Sequence, residues 1–82
     1  MAKLFIVRKH DASQLRLAES FEGASTLLLQ DGVYLASEIK MRAYASAEDA
    51  RKRGVKLECA DPVTYAEIVT LLVEEGNTVI NL

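Results

Sequence analysis

The chain has 82 residues, of which 50% are hydrophobic and 27% charged, with one proline, one cysteine, no tryptophan and a formal net charge of −2. That length holds one small domain, residues 1–82, and excludes a large self-sufficient core, since a chain of this size buries only about 60% of its unfolded surface; association with other subunits is expected. One cysteine closes no intramolecular disulfide and, beside a single histidine, completes no zinc site, while the slight acidity excludes a module that grips nucleic acid through its own phosphate contacts. The apolar run near Met1 is too short for a signal-peptide core or a bilayer span. A cytoplasmic chain with no membrane role and no bound cofactor is expected.

The glycines punctuate the chain. Gly23, Gly54 and Gly76 each close a segment of helical character before an extended one, as a C′ glycine does. Gly32 instead follows a dense apolar run in the pair Asp31-Gly32, the mark of a turn at a strand end. The first strand spans residues 4–8, around Phe5, Ile6 and Val7. A helix over residues 12–22 follows, with Leu15, Ala18 and Phe21 at helical spacing and a capping box of Asp11 with Gln14. Residues 25–30, rich in leucine, form the second strand and residues 33–38 a short helix. Residues 41–45 form the third strand, and Ser46 caps a polar helix over 47–53 with Asp49 at its third position.

Residues 55–59 alternate Val55, Leu57 and Cys59 with Lys56 and Glu58, the pattern of an edge strand with Cys59 on its apolar side; Pro62 belongs to the link that follows. Thr64 and Glu67 form a second capping box, opening the strongest helix, whose stripe is Ile68, Leu71 and Leu72 flanked by Val69 and Val73. Gly76 ends it, and the last strand covers residues 77–82. Five strands alternating with four helices make an α/β fold with an open, mostly parallel five-stranded sheet and helices on both faces.

In such a sheet functional groups gather beyond the carboxyl ends of the strands. Four places qualify: Lys9-His10-Asp11, Gln30-Asp31-Gly32, Ser46-Ala47-Glu48-Asp49 and Ala60-Asp61. His10 is a candidate general base, although a loop histidine without a nucleophile is ordinarily solvated. Asp31-Gly32 lacks the further glycines of a phosphate loop and reads as a turn. Helix capping accounts for Ser46 and Asp49. Cys59 carries sulfur as a persulfide only if its thiol is exposed and activated, and its place on the apolar side of a strand favours a core role. Arg51-Lys52-Arg53 suits a helix C-terminus.

Glu22-Gly23-Ala24-Ser25-Thr26-Leu27-Leu28-Leu29-Gln30-Asp31-Gly32-Val33-Tyr34 resembles the signature of the DsrH/TusB branch of the DsrE/DsrF/DsrH sulfur-relay family, where a leucine-rich strand runs into a Gln/Glu-Asp-Gly turn. Arg42-Ala43-Tyr44-Ala45 with Glu48-Asp49 and Arg53-Gly54 is similar to that branch's third strand and following helix, and Tyr65-Ala66-Glu67-Ile68-Val69-Thr70-Leu71 to the start of its last helix. The resemblance implies a three-layer α/β/α sandwich with strand order 4-3-2-1-5. It also implies a hetero-oligomer with DsrE-like and DsrF-like paralogues that passes persulfide sulfur towards 2-thiouridine at the tRNA wobble position, meeting tRNA only indirectly, or that serves cytoplasmic sulfur oxidation. Some members carry a cysteine in the first helix; here Arg16 or a neighbour stands at that place and residues 11–21 contain none. A structural or regulatory subunit is therefore expected, with His10, Gln30, Asp31 and Gly32 as partner-site candidates, Cys59 as the alternative persulfide acceptor, and self-association open to the chain alone.

Overall fold

The computed structural model describes residues 3–57, 59–74 and 78–82. In chain order it contains β1 (Lys3–Val7), α1 (Ala12–Glu19), β2 (Ser25–Leu28), a 3-10 helix (Gln30–Glu38), β3 (Ala43–Ser46), α2 (Ala47–Arg53), β4 (Asp61–Val63), α3 (Tyr65–Glu74) and β5 (Thr78–Asn81). The five strands form one all-parallel sheet in the order β4-β3-β2-β1-β5.

The apolar runs fall where both sides of a strand are covered. On one side of β1, Leu4 and Ile6 pack with Leu27, Tyr44, Val63 and Ile68 of α3. On the other, Phe5 meets Ala18 of α1 while Val7 joins Leu15, Leu28 and the apolar side of the 3-10 helix. Continuous rather than alternating hydrophobicity in β1 and β2 follows from that double burial.

The caps behave unevenly. Ser46 accepts from the Asp49 N–H at 3.2 Å, and Thr64 and Glu67 exchange backbone and side-chain bonds at 3.2 and 3.0 Å, so the box opening α3 is complete. The box expected of Asp11 and Gln14 is only half made: Asp11 accepts from the Ser13 N–H and hydroxyl at 2.9 and 2.6 Å, whereas Gln14 Oε1 is buried without a partner. α1 stops at Glu19, because the Ser20 hydroxyl bonds back to the Leu17 carbonyl at 2.6 Å and the chain turns to Gly23 at φ +78°. Gly54 ends α2 in the left-handed conformation at φ +67°. Gly76, expected to end α3, and Asn77, expected to open the last strand, lie outside the described residues.

Two segments depart from the pattern read in the sequence. Among the described residues of the stretch 55–59 none joins a strand: Val55 and Leu57 are partly buried against the main cluster, Cys59 is exposed rather than in the core, and Glu58 lies outside the described residues. The fourth strand is Asp61–Val63, pairing Tyr44 with Asp61 and Ala45 with Pro62, so Pro62 sits within a strand and not in a link. An edge strand hydrogen-bonds on one side alone, which is where proline is tolerated.

The second departure is the 3-10 helix, which absorbs the Gln30-Asp31-Gly32 turn and extends the helix expected over 33–38. Its buried residues recur every third position, as Gly32 with Leu35 and as Val33 with Ala36, a series that buried Ile39 continues just past its end. Three residues per turn place each series on one side, and this spacing favours the tighter helix at a length where it is uncommon. Gly32 permits the docking: a Cβ there would lie 2.1 Å from the Val7 carbonyl oxygen, which already accepts from the Leu29 N–H at 3.0 Å. Gly32→Ala is expected to destabilise the fold by about 3 kcal/mol or more, because the obstructing atom is backbone of an interior strand. Urea denaturation with an unchanged slope and a lowered midpoint checks it; a midpoint matching the unsubstituted chain would show that the 3-10 helix can move away.

Candidate functional site

Loops beyond the carboxyl ends of the strands share one rim, and the residue that joins them is Asp49. It lies on α2 with 5% of its surface exposed. One carboxylate oxygen accepts from the Gln30 N–H at 2.8 Å and the other from the Tyr65 hydroxyl at 3.1 Å. The start of the 3-10 helix, the first turn of α2 and the start of α3 are thereby tied together. Arg53, one turn further along α2, donates to Asp31 at 2.9 Å and to the Asp49 carbonyl at 3.3 Å, and its guanidinium lies 3.8 Å from the Asp49 carboxylate.

Burial pushes the Asp49 carboxyl up. The Gln30 N–H, the hydroxyls of Tyr65 and Ser46 and the Arg53 charge together outweigh that penalty and hold it below its ordinary value of 3.8. The carboxylate is therefore ionised and fixed, an anchor and not a base. It also holds Gln30 at φ +50°, a left-handed conformation that a residue with a Cβ seldom adopts. Strain of this kind persists where neighbours over-determine it, and here the Asp49 bond does so, leaving the Gln30 side chain exposed on the rim.

The sequence-selected residues distribute as follows. Gln30, Asp31 and Gly32 come together at the start of the 3-10 helix, with Gly32 buried and the other two exposed. His10 follows β1 and stacks on Tyr34, ring centroids 5.3 Å apart at 27°. It joins the rim through that aromatic contact, with no nucleophile in hydrogen-bond contact among the described residues. Ser46 is fully buried under the cap of α2. Ala60 and Asp61 do not follow the fourth strand as expected but enter it; Thr64 and Tyr65 hold the rim position after β4. Cys59 precedes β4 and is not part of the Asp49 network.

One cleft borders this region and a second lies elsewhere on the molecule. The first, of about 330 Å³, is lined by Ala47, Glu48, Arg51, Thr64 and Tyr65, between α2 and the start of α3. The second, of about 230 Å³, between α1 and the end of the 3-10 helix, is lined by Arg16, Glu19, Glu38 and Lys40. Among the described residues no group of His, Cys, Asp and Glu could hold a metal ion, and no helix is long and apolar enough to cross a membrane.

Asp49, Arg53 and Tyr65 are the residues that sequence reasoning missed as a site. Capping accounted for Asp49 and helix-end charge for Arg53, so neither demanded a tertiary partner. The available signal was their separation of one helical turn with opposite charge.

Asp49→Ala leaves the Gln30 N–H and the Tyr65 hydroxyl without their acceptor and is expected to cost about 2–3 kcal/mol, lowering Tm by roughly 10 °C or more. Because the folded-state pKa is depressed, the stability from ionised Asp49 is fully present above the ordinary Asp value of 3.8 and is lost as pH falls below it. Thermal melts from pH 6 to about pH 3 should show the Asp49→Asn variant losing less stability on acidification than the unsubstituted chain. Parallel losses would remove Asp49 as the acid-sensitive group.

Comparison with family models, with curated proteins and with solved structures finds no match for this chain.

Proposed function

We propose that the protein is a non-catalytic subunit of a sulfur-relay complex, of the DsrH/TusB kind, that supports persulfide transfer between partner proteins towards 2-thiouridine at the tRNA wobble position. The carrying observation is the Gln30-Asp31-Gly32 turn. It belongs to the segment that bears the resemblance, it lies beyond the carboxyl end of β2, it is held by Asp49 and Arg53, and its Gly32 sits against the Val7 carbonyl. A turn this constrained, with Gln30 and Asp31 exposed and no nucleophile bonded to it, suits a surface that shapes another subunit's cysteine site and does not itself react. The order β4-β3-β2-β1-β5 supports the same reading, since it agrees with the order the resemblance implies. Within this proposal the layers form an α/β/α sandwich, the partners are DsrE-like and DsrF-like paralogues, the compartment is the cytoplasm, and tRNA is met only through the assembled complex.

Exposure of Cys59 favours a second reading. An exposed thiolate can attack the terminal sulfur of a donor persulfide, forming the Cys59 persulfide and releasing the donor thiolate, with no external oxidant or reductant. Sulfur oxidation in the cytoplasm is the other pathway open to a DsrH-like subunit.

One complementation experiment separates the roles. Removing the gene from its native host is expected to abolish wobble 2-thiouridine, and both the unsubstituted protein and Cys59→Ser should restore it, with DsrE-like and DsrF-like proteins co-purifying. Restoration by the unsubstituted chain alone, together with one added sulfur on Cys59 by mass spectrometry, would replace the structural role with the sulfur-carrying one. Unchanged 2-thiouridine and no co-purifying paralogue would overturn both.

A further inference from the structure

The two edges of the sheet are guarded differently. An edge strand exposes a row of unpaired N–H and C=O groups, and natural sheets protect such rows with short strands, charge or proline. At one edge β4 has three residues and carries Asp61 and Pro62. At the other, β5 reads Thr78-Val79-Ile80-Asn81, with no charge and no proline, and among the described residues it pairs with β1 alone.

The β1 ladder decides which groups are free. The Leu82 N–H donates to the Ile6 carbonyl at 3.0 Å. Along a strand, the N–H and C=O of one residue point to the same side and successive residues alternate. The groups of Thr78 and Ile80 therefore face β1, and those of Val79 and Asn81 face outward. Apolar surface flanks them. On the side of Ile80, the Phe21 ring meets that of Phe5 at a tilt of 37° and is itself exposed with Leu17. On the side of Val79, α3 ends shortly before β5 with Leu72 and Val73 exposed.

We propose that β5 pairs antiparallel with β5 of a second copy of this chain about a twofold axis at Ile80, so that Val79 of each copy lies opposite Asn81 of the other. Within Thr78–Asn81 this register alone gives every outward N–H and C=O a partner. It sets Ile80 opposite its counterpart as a non-hydrogen-bonded pair, the arrangement in which cross-strand side chains approach most closely. A strand without charge faces itself with no like-charge repulsion, and one self-complementary patch is what a twofold interface needs. The dimer continues the sheet across the axis and brings the exposed apolar residues of α1 and α3 towards their counterparts. The proposal stands apart from the sulfur-relay function and does not depend on it.

Sedimentation of the full chain up to about 100 μM tests it. A dimer is expected. Asn81→Pro removes one outward N–H while leaving the groups that face β1, and should weaken dimerisation about tenfold or more, whereas Asn81→Ala, which loses only the side-chain contact with Arg8, should stay within about twofold. Amide exchange on the unsubstituted chain needs no variant: protection at Val79 and Asn81 should rise with concentration. A monomer throughout, a dimer indifferent to Asn81→Pro, or exchange at Val79 and Asn81 independent of concentration would overturn the proposal. So would edge protection that appears only when a different protein is added.

Discussion

A carboxylate removed from water is costly unless hydrogen bonds and charge replace its hydration. Asp49 meets that requirement with partners from three parts of the chain, and the rim takes its shape from them. Without the Gln30 N–H bond at 2.8 Å, Gln30 would not be held in the left-handed conformation that starts the 3-10 helix. Without the Tyr65 hydroxyl at 3.1 Å, the start of α3 would lack its tie to α2. Ser46 completes the arrangement from beneath, fully buried and capping the helix on which Asp49 sits. One side chain thus couples a local cap to tertiary contacts that local sequence does not reveal.

This difference explains what was legible in advance. The alternation of strands and helices, the double burial of β1 and β2 and the complete cap at Thr64 and Glu67 depend on residues near one another in sequence, and each was readable there. The strand at Asp61–Val63 was not. Periodicity favoured residues 55–59, but alternation reports burial and not ladder pairing, and Val55 and Leu57 are partly buried without joining the sheet. The length of the 3-10 helix was hidden for a related reason. Its three-residue repeat becomes informative only once Gly32 is seen against the Val7 carbonyl. Of the site, the Gln30-Asp31-Gly32 turn was visible, whereas the group that fixes it lies on a different element.

The rim assembled in this way is rich in hydrogen bonds and poor in reactive groups. Asp49 is held ionised by its partners, and Arg53 is engaged by both Asp31 and Asp49. His10 is stacked on the Tyr34 ring. General acid–base or nucleophilic chemistry needs a group free to gain or lose a proton beside a reacting atom. Here the charged groups of the network stabilise one another, an arrangement that supports the non-catalytic role proposed above.

The same logic applies to α3, whose sequence carries the strongest helical pattern yet whose burial is slight. To join β4 at one edge to β5 at the other, the helix must cross the sheet, and Ile68 packs with side chains from β1, β2, β3 and β4. Leu71 is half-buried, while Val69 and Val73 remain 60% and 72% exposed. The apolar arc of the helix is therefore wider than its contact with the sheet. A surface helix ordinarily limits such an arc to the side facing its core, and a small domain gains little by exposing the excess. Among the described residues, Val69, Leu72 and Val73 thus leave the outer side of α3 with apolar surface that the sheet does not cover, beside the β5 edge on which the proposed pairing rests.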